Sequence, residues 1–538
     1  MRTSNVLLAL LCLMSSQSYA AERPNIVFML ADDQGWNGLS VAMHPTVAGS
    51  KGDVFHTPNL EKLAAQGMRF SAGYAPASVC SPTRIALQTG RSPAALHWTK
   101  AAPPEAGHKL IEPRNVKSLS ANETTVAELL KQAGYMTAHY GKWHIGGGGP
   151  EKHGYDESDG DTGNENAFKF NDPNPVDIFG MAERTEAFMA KAKQAKKPFF
   201  IQLSWNALHA AENANKATMA KYEKALSGES DFKRIKTAAI TEDLDTGVGR
   251  VMASIEKLGL TGNTYVIYMA DNGASGGGGR VGQARSERRP TSTSAAPSVG
   301  RREPSLIQSG DSGRDSEQLR APARQQSGSL VPPYIKPESS KAVLNGGKGG
   351  MWEGGIRVPF IVRGPGVKPN SWCHTRVVGY DLYPTFCEWA GIKAASLPKG
   401  LEGGSIAGLL ANDGRGDVKR VREELIFHFP HYQGDAPHSA IMLGDIKLLH
   451  FYEDHHDELY DLANDIAERR DLAAQRPADA KKLRERLEVY LAAVNAQLPT
   501  VNPDYDPSKE PAIKGGGKGG GKGGDKKPNP KKGEKKSK

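Results

Sequence analysis

Cysteine is scarce in this chain, with four residues among 538, and this excludes a disulfide-rich fold. Cys and His residues do not cluster at the spacings typical of a zinc site. Cys12 lies in an apolar N-terminal segment, which leaves three cysteines in the rest of the chain. Cys373 and Cys387 form either one disulfide or two buried free thiols, and the sequence leaves both alternatives open. Cys80 is then the odd thiol.

Long apolar runs are also missing, and the N-terminal run over residues 6–14 is too short to span a bilayer. It follows Arg2 and precedes Ser18-Tyr19-Ala20, a small-x-small pattern typical of a signal-peptide cleavage site. We therefore predict a signal peptide over residues 1–20, cleaved near Ala20. The chain is predicted to have no transmembrane segment and to be exported, either periplasmic or secreted.

The chain has little excess charge of either sign outside its last residues. Of the net charge of +9, eight units come from residues 514–538, which hold ten Lys, one Asp and one Glu. No basic face for nucleic acid is therefore expected. We predict that residues 501–538 form a disordered Lys- and Gly-rich tail. This tail either contacts polyanions such as sulfated polysaccharide or only increases solubility.

Aromatic residues are almost absent from residues 274–341, which are rich in Gly, Ser, Arg, Pro and Gln and show no apolar period. This composition predicts a disordered insertion. An altered reading frame in the source gene is the alternative. The predicted domains are a main domain over 21–420, which contains this segment, and a small C-terminal α+β subdomain over 421–500.

Three continuous apolar runs predict strands that are buried on both faces of a mainly parallel sheet: residues 25–30, 199–205 and 264–269. Later, shorter runs around a Gly444-Asp445 turn predict a small antiparallel sheet, with an amphipathic helix over 477–494 packed on it. The predicted fold class is therefore α/β, with a large, mostly parallel mixed sheet flanked by helices and a smaller C-terminal antiparallel sheet.

Polar side chains follow the predicted strands where ligands bind in open α/β sheets. Each alone has an ordinary explanation, since an Asp pair often caps a turn and a His after a strand is often structural. Four sets at strand ends instead indicate one shared site. The residues concerned are Asp32, Asp33, Lys142, His144, His209, Asp271 and Asn272.

Cys80 precedes Pro82, a residue that suits the first turn of a helix. A helix N-terminus presents unpaired N–H groups to an anion, and Arg84 adds a guanidinium one turn along. A Cys near an Arg is by itself more often a small buried hydrophobe. Lys348, placed among glycines, is likewise often a solvated residue of a flexible loop.

The motif Cys80-x-Pro82-x-Arg84, followed by Thr89-Gly90-Arg91, resembles the signature of the type I sulfatases. The resemblance covers residues 24–272 and 346–473. The other segments similar to blocks of that family are Pro24-Asn25-Ile26-Val27 with the acidic pair that ends at Asp33, Gly141-Lys142-Trp143-His144, Asp271-Asn272-Gly273, Gly347-Lys348-Gly349, Glu353-Gly354-Gly355-x-Arg357-Val358-Pro359 and Glu458-Leu459-Tyr460-Asp461-Leu462.

This resemblance implies an alkaline-phosphatase-like fold and hydrolysis of carbohydrate or aryl sulfate monoesters. It implies that a formylglycine-generating enzyme oxidises Cys80 to formylglycine, whose hydrate attacks sulfur. Arg84 and Lys142 would steady the modified residue. His209 or Lys348 would protonate the alcohol, and His144 would assist the release of sulfate. The implied metal ligands are Asp32, Asp33, the modified Cys80, Asp271 and Asn272.

Carboxylate and amide oxygens of this kind suit Ca²⁺, which we expect, or Mg²⁺, and not zinc. The metal would lower the pKa of a bound hydroxyl, while Arg84, Lys142 and Lys348 would stabilise charge on the sulfuryl oxygens. His144 and His209 are expected to titrate near neutral pH and to move protons.

Two departures from the family pattern stand out. The insertion separates Asn272 from Lys348, and Val378-Gly379-Tyr380-Asp381 replaces a Ser-x-x-Asp block. Two other functions compete with a sulfatase: a phosphate or phosphonate ester hydrolase of the same superfamily, and a catalytically impaired binder of sulfated glycans. Substrate specificity is expected in the loops over residues 43–55 and 146–172.

Overall fold

The computed structural model describes residues 23–209, 213–229, 231–275 and 343–513. The predicted signal peptide, nearly all of the predicted insertion and residues 514–538 lie outside the described residues. Within the described ranges, no helix combines the length and the apolar character needed to cross a membrane.

An eight-stranded sheet forms the centre of the molecule, and β9 is the strand that runs antiparallel to its neighbours. The central strands are buried along their whole length, as their continuous apolar sequences predicted. In spatial order the strands are β10 (Ser371–Cys373), β2 (Met68–Phe70), β9 (Phe360–Arg363), β8 (Thr264–Ala270), β1 (Asn25–Ala31), β7 (Phe199–Ser204), β5 (Met136–Gly141) and β6 (Glu157–Ser158).

Helices flank this sheet, and their local sequence signals explain several of their ends. Thr125 and Glu128 form a capping box at the start of α3, and α2 ends at Gly90, whose left-handed backbone favours glycine. In the described residues the helices are α1 (Pro58–Gln66), α2 (Cys80–Thr89), α3 (Val126–Gln132), α4 (Asn164–Ala167), α5 (Ile178–Gln194), α6 (Lys216–Ala225), α7 (Phe232–Lys257), α8 (Glu353–Ile356), α9 (Leu382–Trp389), α10 (Ala407–Ala411) and α11 (Pro477–Ala493).

A separate antiparallel sheet lies near the C-terminus and packs against α11, which confirms the predicted fold class. The predicted turn at Gly444-Asp445 joins two of its strands, because Leu443 pairs with Ile446. Its fourth strand was not predicted as a strand. The strands are β12 (Leu425–Phe429), β13 (His438–Leu443), β14 (Ile446–Phe451) and β15 (Asp457–Asp461).

Two short strand pairs complete the described sheets: β3 (Gly73–Tyr74) with β11 (Val377–Val378), and β4 (Leu110–Ile111) with β16 (Thr500–Val501). The second pair corrects the predicted start of the disordered tail. The Asn502 amide nitrogen donates to Lys109 O at 3.1 Å, and its side chain donates to His108 O at 2.8 Å. These bonds fix the chain just after β16, so the prediction of disorder is wrong for residues 501 and 502.

Of the two alternatives for Cys373 and Cys387, the structure has the free thiols. Cys373 lies at the end of β10 and Cys387 lies in α9, and both are buried. Burial raises the pKa of the Cys373 thiol to about 11, so this thiol is neutral at physiological pH and behaves as an apolar side chain.

A buried ionic cluster joins the main domain to the C-terminal sheet. Lys447 Nζ on β14 lies 2.9 Å from Glu353 Oε1 and 2.7 Å from Glu468 Oε1. Glu468 also accepts a hydrogen bond from the Glu353 backbone at 2.7 Å. Burial raises the pKa of Glu468 to about 8, with Glu353 adding to the rise and Lys447 opposing it. Burial also favours the neutral form of Glu353, but Lys447 and Arg357 lower its pKa to about 2.

Replacing Glu468 with Gln should change how stability depends on pH. Because the pKa of Glu468 is raised on folding, its stabilising contribution is lost as the pH rises from the unfolded value near 4.5 through about 8. The free energy of unfolding of the native protein should therefore fall relative to Glu468→Gln between pH 5 and pH 8, by roughly 2–4 kcal/mol. Urea unfolding at several pH values measures this difference. Glu485→Gln, an exposed change on α11, is the control, and a constant difference for Glu468→Gln would contradict the expectation.

Candidate active site

Four neighbouring parallel strands, in the order β8, β1, β7 and β5, bring their carboxyl ends to one edge of the large sheet. This register explains why residues far apart in sequence share one site, as predicted from the strand ends. Gly141 allows the closest approach: its φ is +90°, and a Cβ there would lie 2.3 Å from Ser204 O. The next residue, Lys142, is fully buried in the site.

Cys80 is the first residue of α2 and is 2% exposed. Val79, which precedes it, has extended backbone and begins the helix without a side-chain cap. The free N–H groups of the first turn therefore lie beside the thiol. Arg84 follows one turn later on the same helix and is also buried. This is the arrangement that the spacing of the Cys80 motif predicted.

Lys348 reaches the same place from a glycine-rich loop. Its ammonium lies 3.4 Å from Cys80 Sγ and 2.6 Å from Asp33 Oδ1. Backbone hydrogen bonds fix the loop against the start of α2 and the end of β8, since Gly349 N donates to Ser78 O and Lys348 N donates to Ala274 O. The structure thus places Lys348 in the site although residues 276–342 precede its loop in the sequence.

Three carboxylates and three cations form interlocking pairs around Cys80. Arg84 donates from Nε and Nη2 to Asp271 Oδ2 at 3.1 and 2.8 Å. Lys142 Nζ donates to Asp32 Oδ2, and Lys348 pairs with Asp33. Asp33 also accepts from the Asn272 side-chain amide at 2.7 Å, while its own backbone N–H donates to Asp271 Oδ1 at 3.1 Å. Every predicted metal ligand is therefore linked to another member of the cluster or to a cation beside it.

Burial acts strongly on the carboxylates, and the neighbouring cations outweigh it at Asp32 but not at Asp271. It favours the neutral form of Asp32, but Lys142 and Arg84 reverse this effect and lower the pKa of Asp32 well below its usual value. Burial and the charge on Asp32 raise the pKa of Asp271 to about 7, with Arg84 opposing the rise. A bound divalent cation would favour the ionised forms of both carboxylates.

The Cys80 thiol is a poor nucleophile as it stands. Burial raises its pKa to about 11, although Lys142 and Lys348 act in the opposite direction. A thiol nucleophile normally has a lowered pKa, because the thiolate is the reactive form. The environment of Cys80 therefore does not suit catalysis by the unmodified thiol.

The two predicted histidines are present at the site but do not titrate where the sequence predicted. Burial, followed by the charges of Lys142 and Arg84, lowers the pKa of His144 to about 3. Burial also lowers the pKa of His209, with Asp32 opposing the shift. The His144 ring is therefore neutral at pH 7, and the expectation that it titrates near neutrality is wrong, while the pKa of His209 is shifted in the same direction. His144 is held by Ser81, whose Oγ donates to His144 O at 2.9 Å.

The donor set fits a hard divalent cation. Asp32 Oδ1 and Asn272 Oδ1 are buried and have no hydrogen-bond partner among the described residues, so both are free to act as ligands. Asp32, Asp33 and Cys80 each place a ligand atom within 4.8 Å of the others. Oxygen donors dominate this set, which suits Ca²⁺ or Mg²⁺ better than zinc.

Two cavities adjoin the cluster and involve both loops that were expected to set specificity. A cavity of about 170 Å³ beside Asp33 is lined by Gly52, Val54 and Phe55, and a larger one beside Ser81 and His144 is lined by parts of the loop over 146–172. The larger cavity is also lined by Arg114 and Lys117, which were not predicted from the sequence to lie at the site. These residues carry no motif, and only the folded chain brings them to the site.

Removing Arg84 should destabilise the protein strongly, because the Asp271 carboxylate would remain buried without its cation. We expect Arg84→Met to lower the free energy of unfolding by about 3–5 kcal/mol, and the added change Asp271→Asn to recover part of this loss. Urea unfolding of the single and double variants tests the coupling. Arg415→Met, an exposed change, should stay within about 0.5 kcal/mol. Equal effects of Arg84→Met and Arg415→Met would contradict this view of the pair.

Sequence comparison shows which known proteins this chain is similar to. The sequence model of the sulfatase family matches residues 24–392, and that of the C-terminal region of N-sulphoglucosamine sulphohydrolase matches residues 347–497. The chain is 27% identical to a sulfatase of Formosa agariphila over 89% of this chain and 90% of that protein. It is also 27% identical to human arylsulfatase A, over 82% of this chain and 78% of that enzyme.

Solved structures share the fold. Ps i-CgsB, solved in complex with k-i-k-neocarrahexaose, matches with a TM-score of 0.63 and 21% identity, over 90% of this chain and 94% of that one. At 21% identity this structural similarity supports the fold alone, and the assignment to a family rests on the sequence model that matches residues 24–392. The chain therefore belongs to the sulfatase family, the sulfuric ester hydrolases, and has the alkaline-phosphatase-like fold of that family.

Proposed function

We propose that this protein hydrolyses sulfate monoesters of carbohydrate or aryl alcohols through a formylglycine formed from Cys80, with a divalent cation bound beside it. The observation that supports this most is the position of Cys80. It lies at the N-terminus of α2, and its sulfur is 3.4 Å from the Lys348 ammonium. The sulfur and one oxygen each from Asp32 and Asp33 lie within 4.8 Å of one another. The site thus combines positive charge for a sulfate with oxygen donors for a metal.

In this proposal Cys80 Sγ marks the place of the aldehyde hydrate of formylglycine. The hydrate would supply the nucleophile: one geminal hydroxyl would give up its proton and bond to sulfur, the bond from sulfur to the ester oxygen would break, and the alcohol would leave with a proton. The second geminal hydroxyl then loses its proton, the bond from carbon to the sulfate oxygen breaks, and the aldehyde re-forms. Water adds to the aldehyde and restores the hydrate, so water never has to attack sulfur.

Each residue around Cys80 has a role in this reaction that follows from its position. Lys348 is closest to the reacting group, and its ammonium carries a proton that the alcohol can take up. His209 is the alternative donor, although its lowered pKa means that it must first take up a proton. Arg84 and Lys142 hold the surrounding carboxylates and add positive charge near the sulfuryl oxygens. His144, placed by Ser81 at the mouth of the site, is positioned to accept a proton during sulfate release.

The metal in this proposal is Ca²⁺, with Mg²⁺ as the alternative, held by Asp32, Asp33, Asp271, Asn272 and the modified Cys80. When bound, it lowers the pKa of a hydroxyl and shares the charge of the sulfate. The proposal also includes export after cleavage near Ala20 and a formylglycine-generating enzyme as a partner. A weak contact of the Lys-rich tail with polyanions is a further part of it.

Modification of Cys80 can be tested by intact-mass analysis of active protein. Conversion of the thiol to an aldehyde lowers the mass by about 18 Da, because CH₂SH becomes CHO. Cys80→Ala should lose this shift and reduce kcat/KM on an aryl sulfate by a factor of about 10⁴ or more. Cys373→Ala is the matched control and should keep both the shift and the activity. Aryl phosphate, assayed in parallel, tests the competing phosphate ester hydrolase.

The outcome that rejects this mechanism is equally specific. A fully active preparation that retains the unmodified Cys80 mass would exclude formylglycine. Faster turnover of aryl phosphate than of aryl sulfate would favour the competing function.

Removal of the divalent cation should abolish most activity. We expect a chelator to reduce kcat/KM by at least about 100-fold, because charge stabilisation in the transition state is lost, and added Ca²⁺ or Mg²⁺ to restore it. Asp32→Asn should also weaken the rise in melting temperature that the cation causes. Asp417→Asn changes an exposed carboxylate away from the site and serves as the control. Unchanged activity in the chelator would contradict the proposed metal site.

A further inference from the structure

A cavity of about 680 Å³ opens directly beside the reacting centre. Ser81 and His144 form its inner end, and Ser81 is the residue that follows Cys80 in α2. A sulfate held at Cys80 would therefore direct its ester oxygen, and the alcohol attached to it, towards this cavity or the smaller one beside Asp33. The larger cavity has room for a sugar ring and its substituents, since ligand pockets typically measure 300–1,000 Å³.

Buried hydrogen bonds and an ion pair fix one wall of this cavity. Lys100 is fully buried and lies 3.0 Å from both Glu112 oxygens, and Glu112 in turn accepts from His431 and from the Tyr432 amide at 2.9 Å. The charge of Lys100 is therefore paired with that of Glu112, and Lys100 is a structural part of the wall. Trp98, which is 5% exposed, lies two residues before it and forms a small part of the wall.

The segment that carries Arg114 and Lys117 is fixed to this wall. Asn115 Oδ1 accepts hydrogen bonds from the Thr99 backbone at 2.8 Å and from its hydroxyl at 3.0 Å. Val116 N donates to His97 O at 2.9 Å. The backbone on either side of the two cationic residues is therefore held in place while their side chains remain exposed.

Arg114 and Lys117 differ from the other cations of the site in having no acidic partner. Among the described residues, neither forms an ion pair or a side-chain hydrogen bond, whereas Arg84, Lys142 and Lys348 are all paired. Two cations on a fixed backbone, at the rim of a cavity that reaches the reacting centre, are well suited to hold an anion. Across the cavity, the exposed carboxylates of Asp161 and Glu165 offer acceptors for hydroxyl groups.

We infer that the alcohol part of the substrate is a saccharide with a second anionic group, a sulfate or a carboxylate, which Arg114 and Lys117 bind in this cavity. The inference rests on the proposed hydrolysis of sulfate esters at Cys80 and specifies the substrate class of that site. Asp161 and Glu165 accept hydrogen bonds from the hydroxyl groups of the saccharide. A neutral aryl alcohol would leave both cations without a partner.

Kinetics on three matched substrates test the inference: a hexose monosulfate, the same hexose with a second sulfate, and the same monosulfate linked to a uronate. The native protein should have a higher kcat/KM for one or both of the doubly anionic substrates. Arg114→Ala and Lys117→Ala should each reduce that preference by roughly 10- to 100-fold, the size of one lost charge-assisted hydrogen bond. The reduction should shrink as salt is added.

The control is Lys393→Ala, which removes one exposed positive charge from the main domain away from this cavity and should leave the preference unchanged. Loss of preference for the disulfate alone identifies a sulfate as the second group, and loss for the uronate alone identifies a carboxylate. Equal reductions on all three substrates, or none on any of them, would overturn the inference.

A binding measurement separates this inference from the proposed function. Calorimetry with the Cys80→Ala protein and the same three saccharides gives affinities without turnover. If the native protein hydrolyses neither these saccharides nor an aryl sulfate, but binding of the doubly anionic saccharides still depends on Arg114, the proposed function fails and the anion subsite stands. If hydrolysis occurs and neither affinity nor preference depends on Arg114 or Lys117, the subsite fails and the proposed function stands.

Discussion

The active site depends on the balance between buried charges of opposite sign. Asp32, Asp33 and Asp271 are almost completely buried, and each lies against Lys142, Lys348 or Arg84. Removing one member of such a set leaves an uncompensated charge in a medium of low dielectric, which costs several kcal/mol. The same balance suits an anionic sulfate ester, because the cations are held in place by the fold itself.

The fold supplies this balance by bringing distant segments to one edge of a parallel sheet. Strands β8, β1, β7 and β5 are adjacent and point the same way, so the residues after each strand converge. The start of α2 and the loop carrying Lys348 close the site from above this edge. The loop also depends on the C-terminal sheet, because Met351 N donates to His438 at 2.9 Å and Glu353 is paired with Lys447. The smaller sheet thus contributes to the position of Lys348 without entering the site.

Much of this arrangement could be predicted from the sequence, because it follows from strong local signals. Buried parallel strands are continuous apolar runs, and polar residues directly after them must meet at the sheet edge. Strand β15 escaped prediction because it begins and ends with Asp, and its buried Glu458 accepts a hydrogen bond from Tyr460 within the same strand. The neutral state of His144 was missed because it arises from burial and from cations on other elements. Arg114 and Lys117 were missed for a similar reason, since only tertiary contacts place them at the cavity.

The central claim is that the side chain at position 80 is an aldehyde hydrate bound to a divalent cation among these carboxylates. The most direct measurement is a crystal structure of catalytically active protein grown with Ca²⁺, with anomalous scattering used to locate the ion. The account predicts a cation contacted by Asp32 Oδ1 and Asn272 Oδ1, the two buried oxygens without a hydrogen-bond partner among the described residues, with two oxygens on the β-carbon of residue 80. An intact thiol at position 80 in active crystals, or an ion bound away from this cluster, would contradict it.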